Sequence, residues 1–277
     1  MTRGRVLRRI VRSATLAALV TVGVTASMLG AATTAGAVVL PRGVKMTLPH
    51  SVAPSPDFMS SGDCGVAQPN DSATCNALIL RAIANARKTE PLAAIPGSFN
   101  LKAFDKLSAV EQIFAIADIE RTARGLPPMA GITAQLDAIA AKGASGQTDP
   151  STSLPLHLTT GGKATAYGSN WAEGTANALG ADYFWMYDDG LNSPNSSCTK
   201  SNAAACWGHR KNVLFDWENS NFCPAGSKIN ILMGVGEATS KVEFSPSITE
   251  IFVNDCGALP TDMVFTWPDV QKLVFGH

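Results

Sequence analysis

Two stretches decide the fold: residues 171–174, which read WAEG, and residues 206–214, which read CWGHRKNVL. An aromatic run and the acidic residue Asp188 lie between them. The chain has only 4 histidines, and His209 stands between Gly and Arg in a segment that a cysteine bounds. Two carboxylates and an imidazole are the polar groups of a small-molecule or metal site. We therefore expect Glu173, one of the adjacent acids Asp188 and Asp189, and His209 to supply the polar groups of one site.

The N-terminus has the pattern of a secretory signal peptide. Arginines crowd the first 12 residues, an apolar run rich in Ala, Val and Leu follows, and residues 35–37 read AGA. Such a small-residue site predicts cleavage after Ala37, and therefore a secreted, extracellular protein. An uncleaved anchor is the alternative, because the apolar run is almost long enough to span a bilayer. After cleavage we expect no stable membrane span.

The charge balance argues against a nucleic-acid partner. Residues 1–37 carry five of the 22 basic residues and none of the 22 acidic ones, so cleavage leaves 17 basic against 22 acidic residues. A mildly acidic exported chain lacks the basic surface that phosphate backbones require. Its length is enough for one sizeable core.

Six cysteines lie beyond residue 37, and an even count in an exported chain predicts three disulfides. Closeness along the chain favours Cys64–Cys75 and Cys198–Cys206, which leaves Cys223–Cys256. Free thiols are the alternative. Zinc binding by these cysteines is not expected, because the chain has no C-x-x-C pair.

Hydrophobic periodicity predicts helices first and strands last. Residues 75–88 have helical spacing, Ser108 and Glu111 form an S-x-x-E capping box, and a third helix is expected over 133–142. A strand is expected over 163–171, a helix over 173–187, and two strands near the C-terminus. This order indicates an α+β domain. The expected divisions are a signal peptide (1–37), an irregular arm (38–63), a helical extension (64–107), the main domain (108–260) and a tail (261–277).

Five segments in order resemble the CAP superfamily, the SCP domain of cysteine-rich secretory proteins, antigen 5 and pathogenesis-related 1 proteins. The resemblance covers roughly residues 108–256 and is typical of a bacterial exported member. It implies a three-layer α-β-α sandwich with disulfides. The segments that carry it are IER with GLPPM (119–129), the helix near 136–141, NWAE (170–173), WMYD (185–188) and CWGHRKNVL (206–214).

The resemblance also implies a cleft with two histidines and two acids, which in some members binds a divalent metal. Glu173 and Asp188 match the acids and His209 matches the second histidine. The first histidine is expected near the end of the third helix, where the chain has none, and His157 is the only candidate to reach back. We therefore predict no cofactor; a metal such as zinc would depend on His209.

Trp171 and Trp185 are expected to wall this cleft, while Asp189 is expected in a solvated turn. The chain has no G-x-S-x-G elbow and no H-E-x-x-H pair. We therefore predict an extracellular binding module for a lipid-like ligand, a cell-wall component or a protein partner. One alternative is a hydrolase, a peptidase or esterase, that uses His209 and Glu173. The other is a structural domain with a degenerate site.

Overall fold

A computed structural model describes residues 64, 70–90, 92–95, 97–200, 205–216, 222–240 and 246–276. The expected signal peptide and the arm before Cys64 lie outside the described residues. The described chain is an α+β domain with the following elements in order: α1 (Ala73–Lys88), α2 (Leu101–Phe104), α3 (Ala109–Thr122), β1 (Gly131–Thr133), α4 (Ala134–Gly146), β2 (Leu156–His157), β3 (Lys163–Ala164), β4 (Tyr167–Glu173), α5 (Ala178–Tyr187), α6 (Gly208–Val213), β5 (Ile229–Thr239), β6 (Pro246–Cys256), β7 (Met263–Thr266) and α7 (Trp267–Val270), which continues into a π-helix (Gln271–Phe275).

A five-stranded sheet with the order β4-β6-β5-β1-β7 organises the domain. Strands β1 and β5 are parallel, and the other neighbours are antiparallel. Strands β2 and β3 form a separate two-stranded hairpin. Because β4 is the edge strand, the segment with the sequence NWAE lies at one border of the sheet.

Helices pack on both faces of this sheet, and the alternation along β5 shows how. Ile231 and Met233 belong to the larger apolar cluster with residues of α1, α3 and α5. Leu232, which points the other way, packs in a second cluster with Leu136 and Ala140 of α4. Period-2 burial on both sides of a strand is what a sheet covered on both faces requires.

Helix α4 touches the sheet backbone to backbone, and two glycines of β5 make this approach feasible. A Cβ atom added at Gly234 would lie 2.2 Å from the carbonyl carbon of Leu136, and one at Gly236 would lie 2.3 Å from the main-chain nitrogen of Ala141. A side chain at either position would push the helix away from the sheet. This contact fixes where the end of α4 meets the site.

Three disulfides join the cysteines in the pairing that chain proximity favours, Cys64–Cys75, Cys198–Cys206 and Cys223–Cys256. The first disulfide joins Cys64 to the start of α1, and the second closes the loop before α6. The third joins Cys223 to the end of β6. Within the described ranges, no helix has both the length and the apolar character of a membrane span.

The structure differs from the expected element boundaries around the site. Helix α4 does not stop at Gly143 but runs to Gly146, and it ends at Gln147 in the left-handed conformation. Gly143 serves a close contact instead, because a Cβ atom there would lie 2.9 Å from the ring of Pro150. Glu173 ends β4 and does not begin a helix; Asn177 caps α5 four residues later.

The C-terminal residues expected as a tail contribute to the domain. Strand β7 pairs with β1, and the main-chain N–H of Asn100 donates to the carbonyl of Val274. Val274 and Val270 are buried in the larger apolar cluster. Short strands such as β1 and β7 carry too few residues for a periodic pattern to reveal them.

Candidate functional site

Helix α6 carries His209, and a side chain from another segment caps its N-terminus. The residue at its N-cap, Trp207, has φ 61° and makes no side-chain capping bond. The buried carboxylate of Asp189 replaces that cap: it accepts hydrogen bonds from the main-chain nitrogens of His209 at 2.9 Å and Arg210 at 3.4 Å. A carboxylate at this end of a helix also meets the positive end of the helix dipole.

The same carboxylate holds the imidazole of His209. Nδ1 of His209 lies 2.7 Å from Oδ1 of Asp189, and the side chain is 27% exposed. Nε2 has no hydrogen-bond partner among the described residues. Burial works against the charged ring, but the carboxylates of Asp189 and Asp149 outweigh it and raise the pKa of His209 to about 9. The ring is therefore protonated at neutral pH and presents Nε2–H as a donor.

Asp149, from the loop after α4, is the second carboxyl group whose charge acts on His209. The main-chain N–H of Trp171, on the free edge of β4, acts on its carboxylate and opposes the rise of its pKa. Its Oδ1 atom is buried and has no partner in the described part of the chain. Burial raises the pKa of Asp149, and the charge of Asp189 adds to this effect, although His209 and the N–H of Trp171 oppose it. The imidazolium of His209 thus pairs with Asp189 and also interacts with the charge of Asp149.

Side chains engage the outward-facing main-chain groups of β4 around this cluster. Nδ2 of Asn212 donates to the carbonyl of Ser169 at 2.8 Å, and Nε1 of Trp185 donates to the carbonyl of Trp171 at 3.2 Å. With the bond from Trp171 to Asp149, these contacts occupy the edge of the sheet. A ligand at this site would therefore contact side chains, and would not extend the sheet as an added strand.

Glu173 belongs to a second polar cluster. Its Oε1 atom accepts hydrogen bonds from Nε2 of Gln147 and from Oγ of Ser240. An amide side chain thus occupies the end of α4, where the CAP resemblance implies a histidine. No group of three His, Cys, Asp or Glu side chains in the described ranges is arranged to hold a metal ion. These residues do not fit a zinc site.

None of the other predicted site residues makes a hydrogen bond or an ion pair with the side chain of His209 within the described residues. Both oxygens of Asp188 are buried and have no partner among the described residues; burial and the charge of Asp189 raise its pKa to about 7. Trp185 is only 2% exposed and belongs to the core, so it offers no surface to a ligand. Trp171 is half-buried and donates from Nε1 to Oγ of Ser247 at 3.0 Å. His157 is exposed in the β2–β3 hairpin, opposite Lys163.

The expectation for Asp189 was wrong: it is 1% exposed and is the main partner of His209. An Asp-Asp-Gly sequence at the end of a helix is typical of a solvated turn, and only the fold brings α6 back against it. Asp149 and Gln147 were not predicted at all, because both lie in a Gly-, Ser- and Thr-rich stretch without periodicity. The one available signal was the missing histidine near the end of α4.

Comparisons of the chain with protein-family models, with curated proteins and with solved structures find no match.

Proposed function

We propose that the protein is an exported, CAP-like binding module that holds a hydroxyl-rich ligand, such as a cell-wall glycan, at the Asp149–His209–Asp189 cluster. One observation carries the proposal. The protonated imidazole of His209 is oriented through Nδ1 by a buried carboxylate, and its Nε2–H is not used within the described chain. An oriented donor that the fold does not need is available to a ligand.

The neighbouring groups favour a hydroxyl as the ligand's polar group. A hydroxyl both accepts and donates, so it can accept from Nε2–H of His209 and donate to Asp149. Trp171, whose indole is half-buried, is also the residue of β4 whose main-chain N–H acts on Asp149. Small sets of convergent polar groups beside aromatic side chains are typical of small-molecule sites.

The same chemistry argues for binding rather than hydrolysis. A general base must be unprotonated at the working pH, and a pKa close to that pH is the most effective. With a pKa of about 9, His209 is mostly protonated at neutral pH and serves as a donor. The amide of Gln147, which donates to Glu173, supports the same view, because an amide side chain is not among the usual ligands of zinc.

The CAP-type three-layer sandwich and export are part of this proposal. Helices on both faces of the sheet, three disulfides and the ordered motifs support them. Membership in the CAP superfamily and release after Ala37 are separately testable. N-terminal sequencing of the protein recovered from culture medium should begin at residue 38.

The test is calorimetric titration of the exported protein with soluble peptidoglycan oligosaccharides, beside His209→Gln and the matched control His157→Gln. We expect binding in the parent and in the control, and at least a tenfold weaker affinity in His209→Gln, about 1.4 kcal/mol. Thermal unfolding of each variant shows whether the site is intact. Equal affinity of the parent and a folded His209→Gln protein would refute the site. If only the unfolding temperature changes, His209 has a structural role.

A further inference from the structure

A second group of ionisable side chains lies inside the domain, behind the site. Three arginines and four carboxyl groups form it, and they come from α1, α3, the turns after these two helices, α5, α6 and β6. Glu120 of α3 pairs with Arg87 at 2.8 Å and with Arg124 at 2.5 Å, and Glu90 pairs with Arg124 at 2.9 Å and with Arg210 at 2.5 Å. The seven members, which we call the buried charge cluster, are Arg87, Glu90, Glu120, Arg124, Asp182, Arg210 and Glu250.

Two of the four carboxyl groups make no ion pair within the described residues. Asp182 and Glu250 are each 1% exposed, and Oδ2 of Asp182 and Oε2 of Glu250 have no hydrogen-bond partner. Glu250 accepts one bond, from Nδ2 of Asn170 at 2.6 Å. A buried carboxylate oxygen without a donor is costly, whereas a protonated carboxyl group supplies a donor of its own.

The charges of the cluster balance only if one proton is present. The three guanidinium groups pair with Glu90 and Glu120, and Asp182 and Glu250 add two buried carboxyl groups without an ion pair, so full ionisation of the cluster would leave one uncompensated negative charge in the core. We infer that Asp182 and Glu250 together retain one proton at neutral pH, so that the buried charge cluster is electrically neutral. The inference rests on these contacts alone and not on the proposed function.

The electrostatic surroundings of the two acids agree with this assignment. Burial raises the pKa of Asp182 well above its usual value, and Glu120 adds to this, while Arg124, Arg87 and Arg210 oppose it. Burial also raises the pKa of Glu250; Asn170 opposes the rise and the charge of Asp182 adds to it. An ionised Asp182 therefore makes ionisation of Glu250 harder, which favours a state in which one of the two acids keeps its proton.

The acid pair is linked to the site through one side chain. Nδ2 of Asn170 donates to Oε1 of Glu250 and also to the main-chain carbonyl of His209, at 3.1 Å. Nδ2 of Asn212, on the same helix as His209, donates to Oδ1 of Asn170 at 2.9 Å. Two hydrogen bonds, both made by Asn170, therefore connect Glu250 of the acid pair to the backbone of α6.

The experiment compares the parent with Glu250→Gln, Asp182→Asn and the double variant by urea unfolding between about pH 5 and pH 8. Each amide imitates a protonated carboxyl group. A proton retained only in the folded state makes the unfolding constant rise about tenfold per pH unit in this window. In each single variant we expect the unfolding constant to rise about tenfold less per pH unit than in the parent, and the protein to remain folded at pH 8. The double variant, which leaves one positive charge unbalanced, should be less stable than either.

Two further measurements keep the test decisive. Infrared spectra of the folded parent at pH 8 should show the carbonyl stretch of a protonated carboxyl group, and Glu250→Gln or Asp182→Asn should reduce it. Asp118→Asn is the comparison outside the cluster: burial raises the pKa of this acid to about 8, so the variant should lose a tenfold step of its own, and Glu250→Gln added to it should still remove a second one. A parent and single variants with the same pH slope would overturn the inference. So would a double variant as stable as the single ones.

Discussion

Replacing Asp189 by asparagine tests the arrangement of the site directly. The change keeps the shape of the side chain but removes the charge that opposes the desolvation of His209. The pKa of His209 should fall from about 9 toward its ordinary 6.5, because burial, the largest effect, then acts against the charge of Asp149 alone. A shift of this size corresponds to about 3 kcal/mol, at about 1.4 kcal/mol per unit. This is an upper figure, since the side chain is 27% exposed and water screens part of the interaction.

The sign of the pH dependence follows from a pKa that is raised in the folded state. The ion pair stabilises the protein fully below about pH 6.5, and this contribution is lost as the pH rises through about 9. Asp189→Asn should therefore destabilise most at about pH 6, by about 3 kcal/mol for the ion pair and about 1 kcal/mol for the weakened helix cap. Near pH 10 only the capping loss should remain.

Nuclear magnetic resonance of the histidine ring protons measures the pKa, and urea unfolding at the two pH values measures the stability. The His209→Gln variant assigns the signal, and the His157 signal is the internal reference, because that residue lies in the exposed hairpin. An ordinary titration of His209 near 6.5 in the parent would refute the reasoning. So would a midpoint that Asp189→Asn leaves unchanged.

Two further changes probe the packing and the second acid. Gly236→Ala should lower the free energy of unfolding by roughly 1–3 kcal/mol or more, because the new Cβ would lie 2.3 Å from the backbone of α4. Gly97→Ala is the control: its Cβ would have nothing within 4 Å, so the stability should change by less than about 0.5 kcal/mol. Equal urea midpoints for the two would contradict the close contact. The pKa of Asp188 is raised to about 7, so this carboxyl group favours the folded state only while it is protonated. The parent should therefore lose at most about 4 kcal/mol of stability as the pH rises from about 4 to 7, and Asp188→Asn should not show this loss. An unchanged pH profile of unfolding would show that Asp188 is solvated.

Local signals predicted the elements that local interactions form. The S-x-x-E pattern at Ser108 is a capping box in the structure, with Ser108 and Glu111 bonded in both directions. The disulfide pairs joined cysteines that were close in sequence, and the long strands β5 and β6 follow from their β-branched residues. These features depend on residues within a few turns of each other, so the sequence suffices to identify them.

The site could be predicted only in part, because its geometry is long-range. Asp149 reaches Trp171 only because two glycines of β5 let α4 lie against the sheet and carry the following loop to the edge of β4. Choosing Asp188 over Asp189 as the partner of His209 depended on which of two adjacent carboxylates points toward α6. Adjacent residues at a helix end point in different directions, and the sequence does not say which one faces the neighbouring segment.

Helix α6 shows why its short motif carries so much of the resemblance. It has only six residues, too few to be stable alone, and three of its side chains anchor it to three different parts of the fold. His209 binds the end of α5 through Asp189, Arg210 binds Glu90 after α1, and Asn212 binds the edge strand at Ser169. Placement thus accounts for most of the polar atoms of this motif. Nε of Arg210 also has no partner among the described residues, but it is buried, whereas the side chain of His209 is 27% exposed. In the site proposed above, a ligand would therefore meet this helix at Nε2–H of His209, together with the carboxyl group of Asp149.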